Sequence, residues 1–185
     1  MPEETTEMCG IRLTNTKPCI DIVVCYRPPG KNLSQDEWNK ITWNVNTDRL
    51  TILVGDFDAH NMAWNCKYTD TNGKRLLESS EATNLILHNC NTITRSDFHR
   101  NFHSNIDLLF STANIAAGIN VEAYDETLDS DHYPLLCNVQ IEKSLYIKKS
   151  LRINSIKTDW LKVRTDLDEK YLEFLSAEYD SLSPQ

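Results

Sequence analysis

Gly55-Asp56-Phe57-Asp58-Ala59-His60 sets two carboxylates one residue apart, directly after the apolar run 51–54. Along an extended backbone, residues i and i+2 point to the same side, so Asp56 and Asp58 can face one metal ion or one phosphate. The alternative at this point is a strand end where Asp56 caps a turn. Ser130-Asp131-His132-Tyr133-Pro134 places an acid beside an imidazole, again ahead of an apolar run. Such a pair can divide the work, the acid holding a hard cation through oxygen and the imidazole donating to a phosphate oxygen; a solvated loop is the other reading. Asp107 differs, because it interrupts the apolar stretch Ile106-Asp107-Leu108-Leu109-Phe110, where an acid is costly unless paired. That predicts a buried partner such as a histidine. An aspartate that fixes the tautomer and orientation of a histidine follows the logic of hydrolase triads.

These residues need elements to position them. Segments 10–14 and 19–26 are short and rich in β-branched residues, and Asn15-Thr16-Lys17-Pro18 between them has turn chemistry, which predicts a hairpin. Arg27-Pro28-Pro29-Gly30 must leave the sheet, since proline lacks a ladder donor. Ser34 and Glu37 have capping-box spacing, predicting a helix from Gln35 to about Asn44. The run 51–54 reads as a strand buried on both faces. Asn72-Gly73 reads as a turn, with helical periodicity at Leu76, Leu77 and Ala82 after it. Further strands are expected at 85–88, 105–110, 119–124 and 133–141, with a short Ala-rich helical turn before Ile119. Many short strands and few helices give an α/β (α+β) sandwich of mixed or antiparallel sheets. Residues 1–142 are expected to form that domain. Residues 143–185 change character: Lys143, Lys148, Lys149 and Arg152 make a basic linker. Trp160, Val163, Leu167, Tyr171 and Phe174 then recur at helical spacing, predicting an amphipathic helix outside the domain.

The 185 residues are 40% hydrophobic and 25% charged, which suits one globular domain with an extension. No apolar run is long enough to span a bilayer, and residues 1–8 lack the features of a signal peptide, so the expectation is intracellular, with no membrane partner. Nucleus and cytoplasm are not distinguished. The six cysteines are scattered, and they read as reduced and mostly buried. His99 and His103 have half a zinc site's spacing without a CxxC partner, and read as a surface loop. A net charge of −8 excludes grip on nucleic acid through a broad basic surface. It does not exclude a metal-dependent phosphodiesterase, which gathers carboxylates at one point.

In order, Cys25-Tyr26-Arg27-Pro28-Pro29, Val54-Gly55-Asp56-Phe57-Asp58-Ala59-His60, Trp64, Asn72-Gly73, Ser104-Asn105-Ile106-Asp107-Leu108 and Ser130-Asp131-His132-Tyr133-Pro134 run through residues 10–141. The series resembles the endonuclease domain of jockey-type non-LTR retrotransposons, of the endonuclease/exonuclease/phosphatase superfamily. The stretch around Asp159-Trp160 resembles the linker that precedes the reverse transcriptase in such polyproteins. The resemblance implies a two-sheet α/β sandwich whose active site cuts DNA by Mg²⁺ (or Mn²⁺)-assisted attack of water on a phosphodiester. It implies that Asp56 orients or deprotonates the water, Tyr26 contacts the phosphate, Asp131 lies near the metal, and His132, held by Asp107, donates to the scissile phosphate.

Two departures from the family pattern set further expectations. The family motif usually reads GDFNAH, and Asp58 stands at the amide position; a carboxylate accepts hydrogen bonds but donates none. The family also takes an Asn and a metal-binding Glu from strands ahead of the hairpin, where this sequence is short. Glu3-Glu4 lie too close to Cys9 to fill that place. The expectation is therefore a nuclease domain truncated on its N-terminal side or degenerate, with exposed sheet edges. The alternatives are a non-catalytic remnant that binds a partner or nucleic acid, and a relative acting on phosphate esters of lipids or nucleotides.

Overall fold

The computed structural model describes residues 6–43, 45, 48–97, 101–143 and 158–181. Contacts divide the chain into two compact units, 1–146 and 147–185. The first unit is built on a five-stranded sheet of β1 (Glu7–Leu13), β3 (Ile20–Tyr26), β4 (Leu50–Asp56), β8 (Asp107–Ser111) and β5 (Ile86–Leu87), in the order β1-β3-β4-β8-β5. The expected hairpin forms: β1 and β3 are antiparallel, joined through the two-residue strand β2 (Thr16–Lys17). β4 runs parallel to β3 and antiparallel to β8.

Alternation in these strands sends side chains to two cores. Cys25, Leu53, Leu108 and Phe110 face α1 (Gln35–Trp43) and α2 (Thr71–Ala82), packing with Trp38, Ile41, Trp64 and Leu76. Ile20, Ile52 and Leu109 face the other way, against Val121 and Val139 of the antiparallel ribbon β9 (Ile119–Ala123) and β10 (Leu135–Val139). The period-two placement of apolar residues along β3, β4 and β8 thus yields a layered α/β fold, with helices on one face and a ribbon on the other. Asp56, Asp107 and Tyr26 share parity with the ribbon-facing residues.

The α1 capping box is present: Ser34 N–H donates to Glu37 Oε2 at 2.6 Å, and Glu37 N–H donates to Ser34 Oγ at 3.3 Å. The Asn72-Gly73 turn is not. α2 already begins at Thr71, because the Asp70 carboxylate accepts from Gly73 N–H at 2.6 Å as its N-cap. Gly73 serves close packing, since a Cβ there would fall on the His60 carbonyl oxygen.

Other strands are shorter than the apolar runs suggested, because groups outside the sheets, Thr94 above all, take over the backbone hydrogen bonds at their ends. Ile106 and Asp107 N–H both donate to Thr94 Oγ1, and Tyr133 N–H donates to Thr94 O. The polar hairpin β6 (Arg95–Asp97) and β7 (Phe102–Ser104), which pair antiparallel, gave no apolar signal. Neither did β11 (Glu142–Lys143), which pairs with β2. The short helical turn appears as α3 (Ala113–Ala116). The six cysteines are free as expected, but Cys9, Cys19 and Cys137 are exposed and only Cys25 and Cys66 are buried.

In the second unit, α4 spans Trp160–Ser181, with Lys162 N–H capped by Asp159 Oδ1 at 3.1 Å. Trp160, Val163, Leu167 and Tyr171 are exposed. Lys148, Lys149, Arg152, His99 and the side chains of Lys143 and Phe174 lie outside the described residues. No helix among the described residues is long and apolar enough to cross a membrane.

Candidate active site

Strand register brings three of the singled-out residues into one row. Tyr26 is the cross-strand partner of Asp56, and Asp56 is that of Asp107. Residues directly opposite on adjacent strands point to the same face, so the row opens at one end of the sheet, on the side of the β9–β10 ribbon. Gly55 permits the close approach of β4 to β3 here, since a Cβ would fall on the Cys25 carbonyl.

His132 comes from the loop joining β9 to β10 and is held as if in a short strand. It bridges Arg95 antiparallel, with Ser96 N–H donating to Asp131 O and Tyr133 N–H to Thr94 O, both at 2.8 Å. Its Nδ1 lies 2.8 Å from Asp107 Oδ2. A carboxylate only accepts, so Nδ1 carries the hydrogen and Nε2 is left facing outward, 4.0 Å from Asp131 Oδ1. The partner expected for Asp107 is therefore this histidine, which is half-buried and not buried. Asp107 is fixed in turn by Thr94 Oγ1, which accepts from its N–H at 2.9 Å, and by Asn89 Nδ2, which donates to its carbonyl at 2.7 Å.

Asp56, Asp107 and His132 each offer a ligand atom within 4.8 Å of the others. Burial, then the charge of Asp107, raises the Asp56 carboxyl above the ordinary range. Burial also raises Asp107, against the opposing pull of His132 and a hydrogen bond from Thr94. Two crowded, partly desolvated carboxylates beside an imidazole fit a hard divalent cation, which favours oxygen ligands and would relieve their repulsion.

Asp131 stands outside this cluster. Its carboxylate accepts from Arg95 Nε at 2.9 Å, and that hydrogen bond holds it below the usual carboxylate range. Asp58 is also outside, turned away into an ion pair with Arg27 Nη2 at 2.8 Å. Arg27 is only 3% exposed and spends its guanidinium on local acceptors: Phe57 O from Nε, Lys31 and Pro28 carbonyls from Nη1, and Asp58 from Nη2. Asp56 Oδ1 accepts from Asp58 N–H at 3.0 Å, so this clamp reaches the cluster through one peptide group. Tyr26 lies at the open rim, 44% exposed.

Arg27, Thr94, Arg95 and Asn89 were missed as site residues. Arg27 precedes two prolines, which give a local signal for leaving the sheet and none for a buried ion pair. The others sit in polar stretches whose contacts are distant in sequence.

The profile of the endonuclease-reverse transcriptase family matches residues 20–136. Among solved structures, the endonuclease domain of TRAS1, a telomere-specific non-LTR retrotransposon, superposes with a TM-score of 0.62 at 21% identity, covering 75% of this chain and 65% of that one. The Xenopus laevis APE2 catalytic domain superposes with a TM-score of 0.52 at 12% identity, covering 74% and 55% respectively. This chain thus spans less than two thirds of the length of either structure, and the likeness establishes the fold. No curated protein sequence matches it.

Proposed function

The chain belongs to the endonuclease-reverse transcriptase family, and from that premise we propose that its sheet-end cluster hydrolyses phosphodiesters of DNA. The observation that carries the reading is the 2.8 Å contact of His132 with Asp107, set beside Asp56 in one half-buried cluster. In this reading Asp56 orients the attacking water and takes its proton. The water oxygen bonds to phosphorus, one ester P–O bond breaks, and the leaving oxygen takes a proton from solvent. His132, fixed through Nδ1–H and doubly protonated in this step, presents Nε2–H as donor to the phosphate oxygen where charge develops, and Tyr26 binds phosphate at the rim. A bound Mg²⁺ or Mn²⁺, held by Asp56 and Asp107 with Asp131 nearby, would supply charge stabilisation to the phosphoryl group. Residues 1–142 are read as the nuclease portion. Residues 143–185 are read as a linker and helix leading toward a reverse transcriptase region of the same polyprotein.

One observation favours a second reading, a DNA-binding module without catalysis: Asp58 gives its carboxylate to Arg27 and offers phosphate no donor. Incubating the chain with supercoiled plasmid and Mg²⁺ separates the two. Nicking by the parent that is lost in Asp56→Ala and His132→Ala, and enhanced in Asp58→Asn, supports the nuclease. Plasmid left intact by the parent and by Asp58→Asn refutes it.

A further inference from the structure

Two arginines border the site, and they are used in opposite ways. Every nitrogen of the buried Arg27 guanidinium has an acceptor, in its own loop or in the one that follows β4. Arg95, at the start of β6, engages only Nε, at 2.9 Å from Asp131 Oδ2. Among the described residues neither of its amino groups has a hydrogen-bond partner. Arg95 lines a cleft of about 420 Å³ with His60, Tyr68, Asp97, Phe102 and Ser104. The Asp131 contact fixes the plane of the guanidinium, and the backbone bridge to His132 fixes its height against the catalytic histidine. Its field reaches the cluster, since the charges of Asp56 and Asp58 both act on it.

We infer that Arg95 is a phosphate-contacting residue of this site, its free amino groups receiving a phosphodiester oxygen in the cleft beside His132. The inference rests on the nuclease reading and supplies what that reading lacks. A site with Asp58 in place of an amide needs a donor from elsewhere, and Arg95 offers four N–H bonds in a preset fork. Arg27 cannot take that role, because all its guanidinium nitrogens are already engaged.

The test is binding, not cleavage: the full chain with a short fluorescent DNA duplex in EDTA, across a salt series. Arg95→Gln should weaken binding about tenfold at low salt and reduce the log–log salt slope by about 0.9, the signature of one lost phosphate contact. Arg95→Lys should keep the slope but lose several-fold affinity, because an ammonium lacks the fork. Asp131→Asn, which frees Arg95 while removing a negative charge, should bind at least as tightly as the parent with an unchanged slope. A purely structural role for Arg95 predicts the reverse, with Asp131→Asn losing as much as Arg95→Gln, and that result overturns the inference. So does parent-like affinity and slope in Arg95→Gln; should that variant fail to fold, parent-like affinity in Arg95→Lys overturns it instead. A parent that binds no duplex sinks the nuclease reading and this one together, whereas binding insensitive to Arg95 sinks this one alone.

Discussion

His132 Nδ1 and Asp107 Oδ2 lie 2.8 Å apart, yet the residues stand 25 positions apart in sequence and on different layers of the fold. β8 carries the aspartate in the central sheet, and the loop after β9 carries the histidine over its end. Two backbone hydrogen bonds to β6 and its approach hold that loop in place, so the imidazole is oriented from both sides. The orientation of Nε2 is set by the fold before any substrate arrives.

Asp107→Asn should keep the fold and lose the reaction. An amide carries no charge to hold an imidazolium that donates from both nitrogens, so the ring is left neutral and its Nε2–H is a weaker donor to developing charge. As for a weakened oxyanion donor, plasmid nicking should fall on the order of 10²-fold while DNA binding changes little. Retained nicking would remove Asp107 from the mechanism.

The Arg27–Asp58 pair should matter to stability. Arg27→Ala leaves the Asp58 carboxylate and several loop carbonyls without their donor, and should cost about 3–5 kcal/mol in urea unfolding. Asp58→Asn keeps an acceptor but loses the charge, and should cost about 1–3 kcal/mol. The positive φ of 39° at residue 58 suits either side chain, so backbone strain does not confuse the comparison. An Asp58→Asn midpoint equal to the parent's would show that the pair contributes nothing.

The catalytic candidates were legible because each disturbs a local apolar pattern. Asp56 ends the run on β4, Asp107 interrupts that on β8, and His132 precedes that on β10. Side-chain period two on strands then fixes which face each takes. Arg27, Thr94 and Arg95 were not legible, because their roles are spatial. The Arg27 guanidinium finds acceptors about thirty residues along the chain, and Thr94 serves two N–H groups beyond a polar hairpin. Asp58 was placed beside Asp56 by the i, i+2 rule, which holds for extended backbone; its positive φ breaks the strand there and turns the side chain to Arg27 instead.

Gly73→Ala should be disruptive although alanine is the better helix former. The added methyl would fall on the His60 carbonyl and press on Asn61, both in the loop that follows Asp58. Overpacking at backbone should cost about 1–3 kcal/mol, against a propensity gain of about 1 kcal/mol. A thermal midpoint above the parent's would show that the loop yields freely.

Asp56→Asn should stabilise the protein at neutral pH. Burial and the neighbouring Asp107 hold the Asp56 carboxyl above its ordinary range, so between that range and the raised value the folded state keeps a proton that the unfolded chain has released. Stability is therefore greatest below the ordinary carboxylate range and is lost as pH rises through the raised value. The asparagine removes the charge and keeps an acceptor for Asp58 N–H, so relief of about 1 kcal/mol would raise the thermal midpoint by about 2–4 °C. The gain should vanish in acid, where the parent's carboxyl is protonated. A divalent cation relieves the same repulsion, so Mg²⁺ or Mn²⁺ at 100 times its Kd should stabilise the parent by about 2.7 kcal/mol and Asp56→Asn by less. Thermal scans of both proteins at neutral and acid pH, in EDTA and in Mg²⁺, check every part. A lower midpoint for Asp56→Asn in EDTA at pH 7 would show that Asp56 is a structural carboxylate, and not one held in tension for a cation.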